Sequence, residues 1–600
     1  MLGMSKCRRV RSRRLWIGAA CGTVWSAATL SDPTSLPPDA SAGAVPPRLS
    51  QSFIQVAAEQ DVFTIPRVPE RPLGSQEGPR LKVTSFKLAG VVDRPAYRIK
   101  VAEVKSLLDQ VMQVQPAEGL TVNQMQEAAG KVADYYHQHG FVLAQAFVPQ
   151  QEVRNGEVVV QVLEGKLGAI TFEGNKSYSG KTLGRPFRDL LGGPVERTSI
   201  ESALLTLTEY PGLSAFGVLR AGEEVGTTAL AVRVQKENPV EFSTQVDNHG
   251  SQFAGEYRAQ ASVAVNNLLG DADRMRAYGL YGFDSSGTKA HGIYGGFDYE
   301  LPVFSPRDTL RLRAAKTDYT LGGNVDAAVL ATNPKGESYS GEIGYRHYTA
   351  PSRVWTSSFG VAFEVATATN QALGRDQFKD KLSTLKLDYL LNQIDTRFRG
   401  VNQVSLTYSH GFKNLLGSLD NYDPAAAAPA SRFGATGKYD KVVLELQRLQ
   451  RITDSFALAF RATEQYSSDP LVALEQMSVT GPDAVRAYPV AEVLGDKVTM
   501  GTVEVIISAP GFANRPAFGG RTWGQVLQFS LFGDVAKAEL NGKIFVGQTR
   551  DVTVSGYGAA LQFNVPNRVF ARLDVAKPSS KLTPSDGRDV RGYFRLGFSF

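Results

Sequence analysis

Polar and apolar positions alternate with a period of two residues along most of the chain from about residue 240 to its end. Between residues 526 and 535, one face of the pattern carries Leu527, Phe529, Leu531, Gly533 and Val535. The other face carries Gln528, Ser530, Phe532 and Asp534. Segments of about ten residues with this alternation, separated by Gly, Asp, Asn and Pro, predict a transmembrane β-barrel with an apolar outer face and a polar lumen. At roughly 22 residues per strand and connection, this region has room for about 16 strands.

The last segment of the chain carries the same alternation with aromatic side chains. Phe594, Leu596, Phe598 and Phe600 fall on one face, whereas Arg595, Gly597 and Ser599 fall on the other. A terminal aromatic residue on an alternating strand is typical of barrels in the outer membrane of Gram-negative cells. We therefore predict that Phe594, Phe598 and Phe600 form an outer-membrane assembly signal, with lipid and the barrel-assembly machinery as partners.

The part of the chain before the barrel has helical as well as strand periodicity, and its order of elements occurs twice. Residues 81–165 read β-α-α-β-β, with a helix that opens on a capping box of Thr121 and Gln124 and strands at 141–148 and 157–163. Residues 166–236 repeat this order, with a second helix predicted to open at Thr198 with Glu201 as its capping partner and strands at 213–220 and 227–235. The repeat predicts two tandem α/β domains ahead of a barrel that spans residues 240–600.

The N-terminal 80 residues predict export. A basic segment precedes an uncharged stretch from Leu15 to Leu30, which is shorter than the roughly 20 residues of a membrane-spanning helix, so residues 1–42 are expected to be a signal peptide with an uncertain cleavage site. Residues 45–80 read as a Pro-rich linker with a short helix at 50–61.

Charge and motifs argue against nucleic-acid binding and against catalysis. The formal net charge is +6, but the first 30 residues hold six basic residues and no acid, so the remainder sums to zero. Both cysteines, Cys7 and Cys21, also lie there. The six histidines are dispersed, and no Gly-x-Ser-x-Gly nucleophile motif or zinc-protease spacing occurs. We expect no cofactor, no metal, no nucleic-acid partner and no enzymatic activity.

An ordered set of short motifs resembles the two-partner secretion transporters (TpsB), which export haemolysins and filamentous haemagglutinin-like adhesins and share a superfamily with the barrel-assembly protein BamA. The two repeats are similar to the POTRA domains of that family, through Tyr135-Tyr136 and Glu164-Gly165 in the first and Gly174-Asn175 and Pro211-Gly212 in the second. The segment from Asp247 to Gly250 is similar to the first barrel hairpin. The resemblance covers residues 83 to 600.

The most specific motif is Val485-Arg486-Ala487-Tyr488, which resembles the tip of the long sixth extracellular loop of this superfamily. The resemblance implies that the loop folds back into the lumen and that its arginine pairs with the Asp of a Phe-x-Asp-x-Gly motif, here Phe532-Gly533-Asp534-Val535-Ala536. Ala487 and Ala536 stand where this superfamily usually has glycine. The alternation independently assigns Phe532 and Asp534 to the lumenal face.

The resemblance implies a function as an exporter of one large unfolded TpsA-like partner protein, by POTRA recognition followed by passage through the lumen. Strand addition at POTRA edges would place substrate-binding residues at Phe141, Leu143, Phe147, Leu213, Phe216 and Leu219. The 50–61 helix is by the same resemblance a candidate pore plug. The alternative function is an outer-membrane assembly factor. A porin would lack the periplasmic repeat, and an energised receptor would need a larger plug than residues 45–80 provide.

Overall fold

The computed structural model describes residues 63–64, 79–284, 290–322, 330–544 and 549–600. The predicted signal peptide at 1–42 and the predicted helix at 50–61 lie outside these residues. In the described part of the chain, no helix has the length and apolar character needed to cross a membrane.

The first repeat is a three-stranded sheet covered by two helices. Its core buries the helical residues Val104, Leu108, Met125 and Val132 against the strands. The elements that precede and form this domain are Phe63–Thr64 (β1), Arg80–Leu81 (β2), Ser85–Ala89 (β3), Val101–Gln113 (α1), Leu120–Thr121 (β4), Val122–Gln138 (α2), Gln145–Phe147 (β5) and Glu157–Leu163 (β6). The sheet order is β3-β6-β5, with β3 and β6 parallel and β5 and β6 antiparallel. The predicted capping box is present, since Thr121 and Gln124 exchange side-chain and backbone hydrogen bonds at the start of α2.

The strand predicted at Phe141–Val148 is wrong at both ends, because only Gln145–Phe147 pairs with a neighbouring strand. Phe141 instead follows the helix end directly and is fully buried, with its ring edge-on to Tyr97 and Tyr136. An aromatic side chain that fills the core just after a helix gives the same apolar signal as the start of a strand.

The second repeat has the same order of elements. These are Lys166–Glu173 (β7), Gly180–Gly184 (α3), a 3₁₀ helix at Arg185–Leu190, Arg197–Thr208 (α4), Leu213–Ala221 (β8) and Thr227–Glu237 (β9). The capping residue of α4 is not Thr198, as predicted, but Glu196, whose carboxylate accepts hydrogen bonds from the backbone N–H groups of Thr198 and Ser199 at 2.8 and 2.7 Å. A carboxylate satisfies the free N–H groups of the first turn as well as a hydroxyl does, and its charge also suits the helix dipole.

The sheet of the second repeat carries one additional strand. Its order is β1-β8-β9-β7, and β1 is the two-residue strand Phe63–Thr64, which pairs in parallel with Gly217 and Val218 of β8. A segment from the predicted linker therefore extends the sheet at the β8 edge.

The remainder of the chain forms a closed barrel of 16 antiparallel strands, as predicted, and its first strand, Val240–Asp247 (β10), pairs with its last, Arg591–Ser599 (β27), at the seam. Two short strands, Met477–Ser478 (β21) and Leu494–Gly495 (β22), form a separate two-stranded sheet that is not part of the barrel wall. The strands are Val240–Asp247 (β10), Tyr257–Asn266 (β11), Arg274–Phe283 (β12), His291–Pro302 (β13), Asp308–Thr320 (β14), Lys335–Tyr348 (β15), Trp355–Ala372 (β16), Arg375–Asp395 (β17), Gly400–Gly411 (β18), Tyr439–Arg451 (β19), Phe456–Ser467 (β20), Met477–Ser478 (β21), Leu494–Gly495 (β22), Lys497–Ser508 (β23), Leu527–Glu539 (β24), Asp551–Val565 (β25), Val569–Pro578 (β26) and Arg591–Ser599 (β27). A short helix, Trp523–Val526 (α5), precedes β24.

The faces of the barrel strands follow the predicted alternation. On β24, Leu531 and Val535 are exposed on the outside, whereas Phe532 and Asp534 are buried within the lumen. Transfer of the outward-facing apolar side chains from water into lipid lowers the free energy, and this gain fixes which residues of each strand face outward.

The second repeat is docked on the periplasmic end of the barrel. The Thr182 hydroxyl donates to the carbonyl of Gly270 at 2.7 Å, and the Asn267 side chain donates to the carbonyl of Ser177 at 2.9 Å. Arg353, in the turn after β15, forms an ion pair with Glu201 of α4. These contacts place the β8 sheet beside the entrance to the lumen.

Candidate functional site

The loop between β20 and β23, residues 468–496 and hereafter loop 6, enters the barrel lumen instead of projecting outward. Its two ends are held together by the β21–β22 pair. At its base, the fully buried Asp496 accepts hydrogen bonds from the backbone N–H groups of Leu471 and Asn541 and from the side chain of Gln476. Its tip packs Val485, Ala487 and Tyr488 against the lumenal side chains of β23 to β26.

The loop tip is fixed by Arg486, which is only 5% exposed. Its Nε and Nη2 donate to the two carboxylate oxygens of Asp534 at 2.9 and 2.8 Å, in a bidentate pair. Its backbone N–H donates to the same carboxylate at 3.2 Å. The guanidinium also lies over the ring of Phe532, with its central carbon 3.2 Å from the ring centroid. The structure thus brings together the arginine, the aspartate and the aromatic residue that the two motifs supplied.

Two more carboxylates complete this cluster. Arg486 Nη1 donates to Glu504 of β23 at 3.2 Å and to Asp574 of β26 at 3.1 Å. Arg572 bridges the same pair, at 3.1 Å from Glu504 and 2.9 Å from Asp574. The lumen therefore holds three acidic groups around two guanidiniums, so the loop arginine links β23, β24 and β26. Sequence reasoning missed Glu504, Arg572 and Asp574, although the alternation of their strands was a usable signal for a lumenal position.

The two alanines that replace glycines fit without strain. Neither Ala487 nor Ala536 has a positive φ, so neither position needs the conformational freedom of glycine. Space for the Ala487 methyl group comes from Gly556 of β25, where a Cβ would lie 2.5 Å from that methyl carbon.

Tyr488 fastens the tip to the opposite side of the cluster. Its hydroxyl shares a hydrogen bond with the Ser580 hydroxyl at 2.6 Å and donates to the carbonyl of Leu582 at 2.9 Å. Its own carbonyl accepts from Tyr593 of β27 at 2.7 Å. Loop 6 is therefore tied to the last strand as well as to β23, β24 and β26.

The six residues predicted for the periplasmic strand edges do not form one surface. Phe141, Leu213 and Leu219 are buried in the cores of their domains. Leu143 packs from the first repeat against the core of the second. Phe147 on β5 and Phe216 on β8 are half-buried. Of the two predicted edges, β8 is nine residues long and β5 only three.

The C-terminal aromatic residues line the outside of the barrel. Phe598 and Phe600 are exposed, and Phe600 stacks on Phe242 of β10 across the seam at 6.4 Å between ring centroids. Phe594 lies 6.3 Å from Tyr257 of β11.

Comparison with known protein families identifies the family of this chain. The family described as haemolysin secretion/activation protein ShlB/FhaC/HecB matches residues 226–501, and the ShlB-type POTRA domain matches residues 95–165. The chain is a two-partner secretion transporter of the outer membrane. The resemblance stated from the motifs is thereby confirmed, together with the fold class of a 16-stranded barrel behind periplasmic POTRA domains.

Individual relatives agree with this assignment. The chain is 22% identical over 542 residues to the heme/hemopexin transporter protein HuxB of Haemophilus influenzae, covering 89% of this chain and 91% of the relative. It is 24% identical over 445 residues to the outer membrane transporter CdiB of Escherichia coli, covering 71% and 68%. The solved structure of CdiB from Escherichia coli superimposes with a TM-score of 0.66 at 18% identity, over 89% of this chain and 93% of that one, and shows the same fold. Members of this family are transporters that work with a large exoprotein, not known enzymes.

Proposed function

We propose that the partner exoprotein is captured in unfolded form at the β8 edge of the second POTRA domain. The observation that carries this proposal is the parallel pairing of Phe63–Thr64 with Gly217 and Val218, because this edge already accepts an extended segment through its main chain. An added strand gains affinity from main-chain hydrogen bonds and specificity from the side chains that flank it. On β8, the half-buried Phe216 and Val218 are on the face turned away from the domain core.

Capture at this edge requires that β1 give way, because one strand edge pairs with one partner at a time. Only two residues pair there, so the cost of displacing them is small beside the gain from a longer added strand. The docked position of the domain then delivers the captured segment to the barrel entrance.

Within the lumen, we assign Arg486 the role of a lock that keeps loop 6 docked. Its four side-chain hydrogen bonds join the loop to three different strands. Outside the lumen, the apolar outer face contacts lipid, and Phe594, Phe598 and Phe600 serve as the signal read by the barrel-assembly machinery during insertion.

Site-specific cross-linking tests the capture step. A photoreactive benzophenone amino acid replaces Phe216 on β8, and the matched control places it at the exposed Thr171 on β7, the opposite edge of the same sheet. The export function predicts that a large exoprotein is encoded beside this chain, and that exoprotein is co-expressed in a Gram-negative host. We expect exoprotein adducts from position 216 and none from 171. Adducts from 171 alone would show that capture occurs at the other edge.

A further inference from the structure

The two sides of the barrel lumen differ in what covers them. The tip of loop 6 packs on the wall formed by β23 to β26. The middle of the wall formed by β13 to β18 faces open space instead. The outer end of this wall is covered, because Tyr319 and Ala368 pack near Phe253 and Leu474, and Leu382 packs with Leu471 and Val472. A cavity of about 370 Å³ lies against its middle, lined by charged residues that include Arg311, Arg313, Glu342 and Lys386 and by smaller residues that include Gly344 and Thr407.

Two more cavities lie above and below this one. Toward the cell exterior, a cavity of about 400 Å³ separates Pro482 and Asp483 of loop 6 from Ser340 and Glu364 of the wall. At the periplasmic mouth, a cavity of about 250 Å³ is bounded by barrel residues and by Glu209 and Pro211 of the second POTRA domain.

Ion pairs connect the three cavities. Glu300 lines the mouth cavity and pairs at 2.9 Å with Arg311, which lines the middle cavity. Lys386 lines the middle cavity and pairs at 2.5 Å with Glu364, which lines the outer cavity. Long, rotatable side chains therefore lie between neighbouring cavities.

Cationic and anionic side chains are interspersed along this wall. Arg313 of β14 contacts Asp298 of β13 at 3.3 Å and Glu342 of β15 at 3.4 Å. Arg346 of β15 pairs with Asp388 of β17 at 2.6 Å. Because each of these cations already has an anionic neighbour, the wall offers many hydrogen-bonding groups without a strong field of either sign. A conducting surface must bind its cargo weakly enough to release it, and a mixed polar wall meets that requirement.

From these observations we infer that the exported polypeptide passes the barrel in extended form along the wall of β13 to β18, through the three cavities, while the tip of loop 6 remains docked on the opposite wall. The inference rests on the proposed export function and specifies the route inside the lumen. Passage needs rotation of Arg311, Glu342 and Lys386 and displacement of the residues packed on the outer end of the wall, but it does not need undocking of Arg486. The mouth cavity connects this route to the POTRA domain beside it.

Thiol labelling of the full chain tests the route without an exported protein. Cys7 and Cys21 are replaced by serine, which leaves no other cysteine. Single cysteines are then introduced by Ser340→Cys and Thr407→Cys on the proposed wall, and by Ala560→Cys, a control on a lumenal strand position beneath loop 6.

The probe is methanethiosulfonate-ethyltrimethylammonium, with labelling read by mass spectrometry and pore current measured in planar bilayers. We expect rapid labelling and loss of current for the two wall variants and no labelling of the control. Labelling of the control ahead of both wall variants would overturn the inferred route.

Cross-linking during export supplies the second arm. Benzophenone is placed at positions 407 and 560, and the neighbouring exoprotein is co-expressed. Adducts at 407 but not 560 support the route, whereas adducts at 560 alone overturn it. If the unmodified chain releases no exoprotein, the proposed function fails, and the labelling arm still decides which side of the lumen is open.

Discussion

Replacement of Arg486 by alanine perturbs the contact that holds loop 6 in the lumen. The side chain donates four hydrogen bonds to three carboxylates, and both it and Asp534 are about 95% buried. Alanine removes all four bonds and the contact with the Phe532 ring. It also leaves Asp534, Glu504 and Asp574 with Arg572 as the remaining cation of the described cluster.

The expected loss in the free energy of loop 6 docking follows from the burial of this cluster. Removing one partner of a buried ion pair costs about 3–5 kcal/mol, because the remaining charge stays desolvated. At 1.4 kcal/mol per factor of ten, the lower limit shifts the equilibrium between docked and released loop 6 roughly 150-fold toward release. Arg486→Lys keeps the charge but not the bidentate geometry, so we expect an intermediate effect.

Limited proteolysis of the full chain in outer membranes measures loop release, with cleavage mapped between residues 477 and 492 by mass spectrometry. Arg486→Ala should be cut much faster than the unsubstituted chain. Arg588→Ala is the matched control, since this arginine belongs to the neighbouring extracellular loop, is 54% exposed and pairs with Glu256 and Asp586 at the surface. Equal cleavage of the Arg486 variant and the control would refute the assignment of Arg486 as the lock.

Three further changes have defined outcomes. Gly556→Ala places a Cβ 2.5 Å from the Ala487 methyl carbon, so it should increase proteolytic cleavage of loop 6. A second change, Ala487→Gly, removes that methyl group and should restore the slow cleavage. If it does not, the clash is not the cause. Gly140→Ala introduces a Cβ at a φ of +89°, 2.6 Å from the Glu196 carboxylate. This change should destabilise the junction of the two POTRA domains by about 1–3 kcal/mol and speed amide hydrogen exchange there. Unchanged exchange would contradict a rigid junction. Deletion of Phe600 should lower the amount of heat-modifiable barrel in the outer membrane, and an unchanged amount would remove this residue from the assembly signal.

The parts of the barrel that could be predicted from the sequence are those governed by a short period. The alternation on β24 assigned Phe532 and Asp534 to the lumen, and the motif at Arg486 supplied the partner. Glu504 and Asp574 escaped prediction because their meeting with Arg486 depends on barrel closure and on the path of loop 6. No local pattern encodes these contacts, which join residues 18 and 88 positions apart along the chain.

The errors in the periplasmic domains have local causes. Phe141 was assigned to a strand because an apolar residue at a domain core gives the same signal in a turn as in a strand. The start of α4 was misplaced because Thr198 and Glu201 mimic a capping box, while the carboxylate of Glu196 performs the capping. The pairing of Phe63–Thr64 with β8 was out of reach, since a two-residue strand has no periodicity to read.

Export of the exoprotein encoded beside this chain, expressed with it in a surrogate Gram-negative host, tests the central claim most directly. The quantity measured is exoprotein in the medium, with the unsubstituted chain, Arg486→Ala and a deletion of residues 81–236 compared at equal amounts of folded barrel in the outer membrane. Our account predicts release by the unsubstituted chain, reduced release by Arg486→Ala and none after the deletion. Release that survives the deletion would contradict capture by the POTRA domains, and no release by a correctly inserted unsubstituted chain would contradict the transporter assignment for that exoprotein.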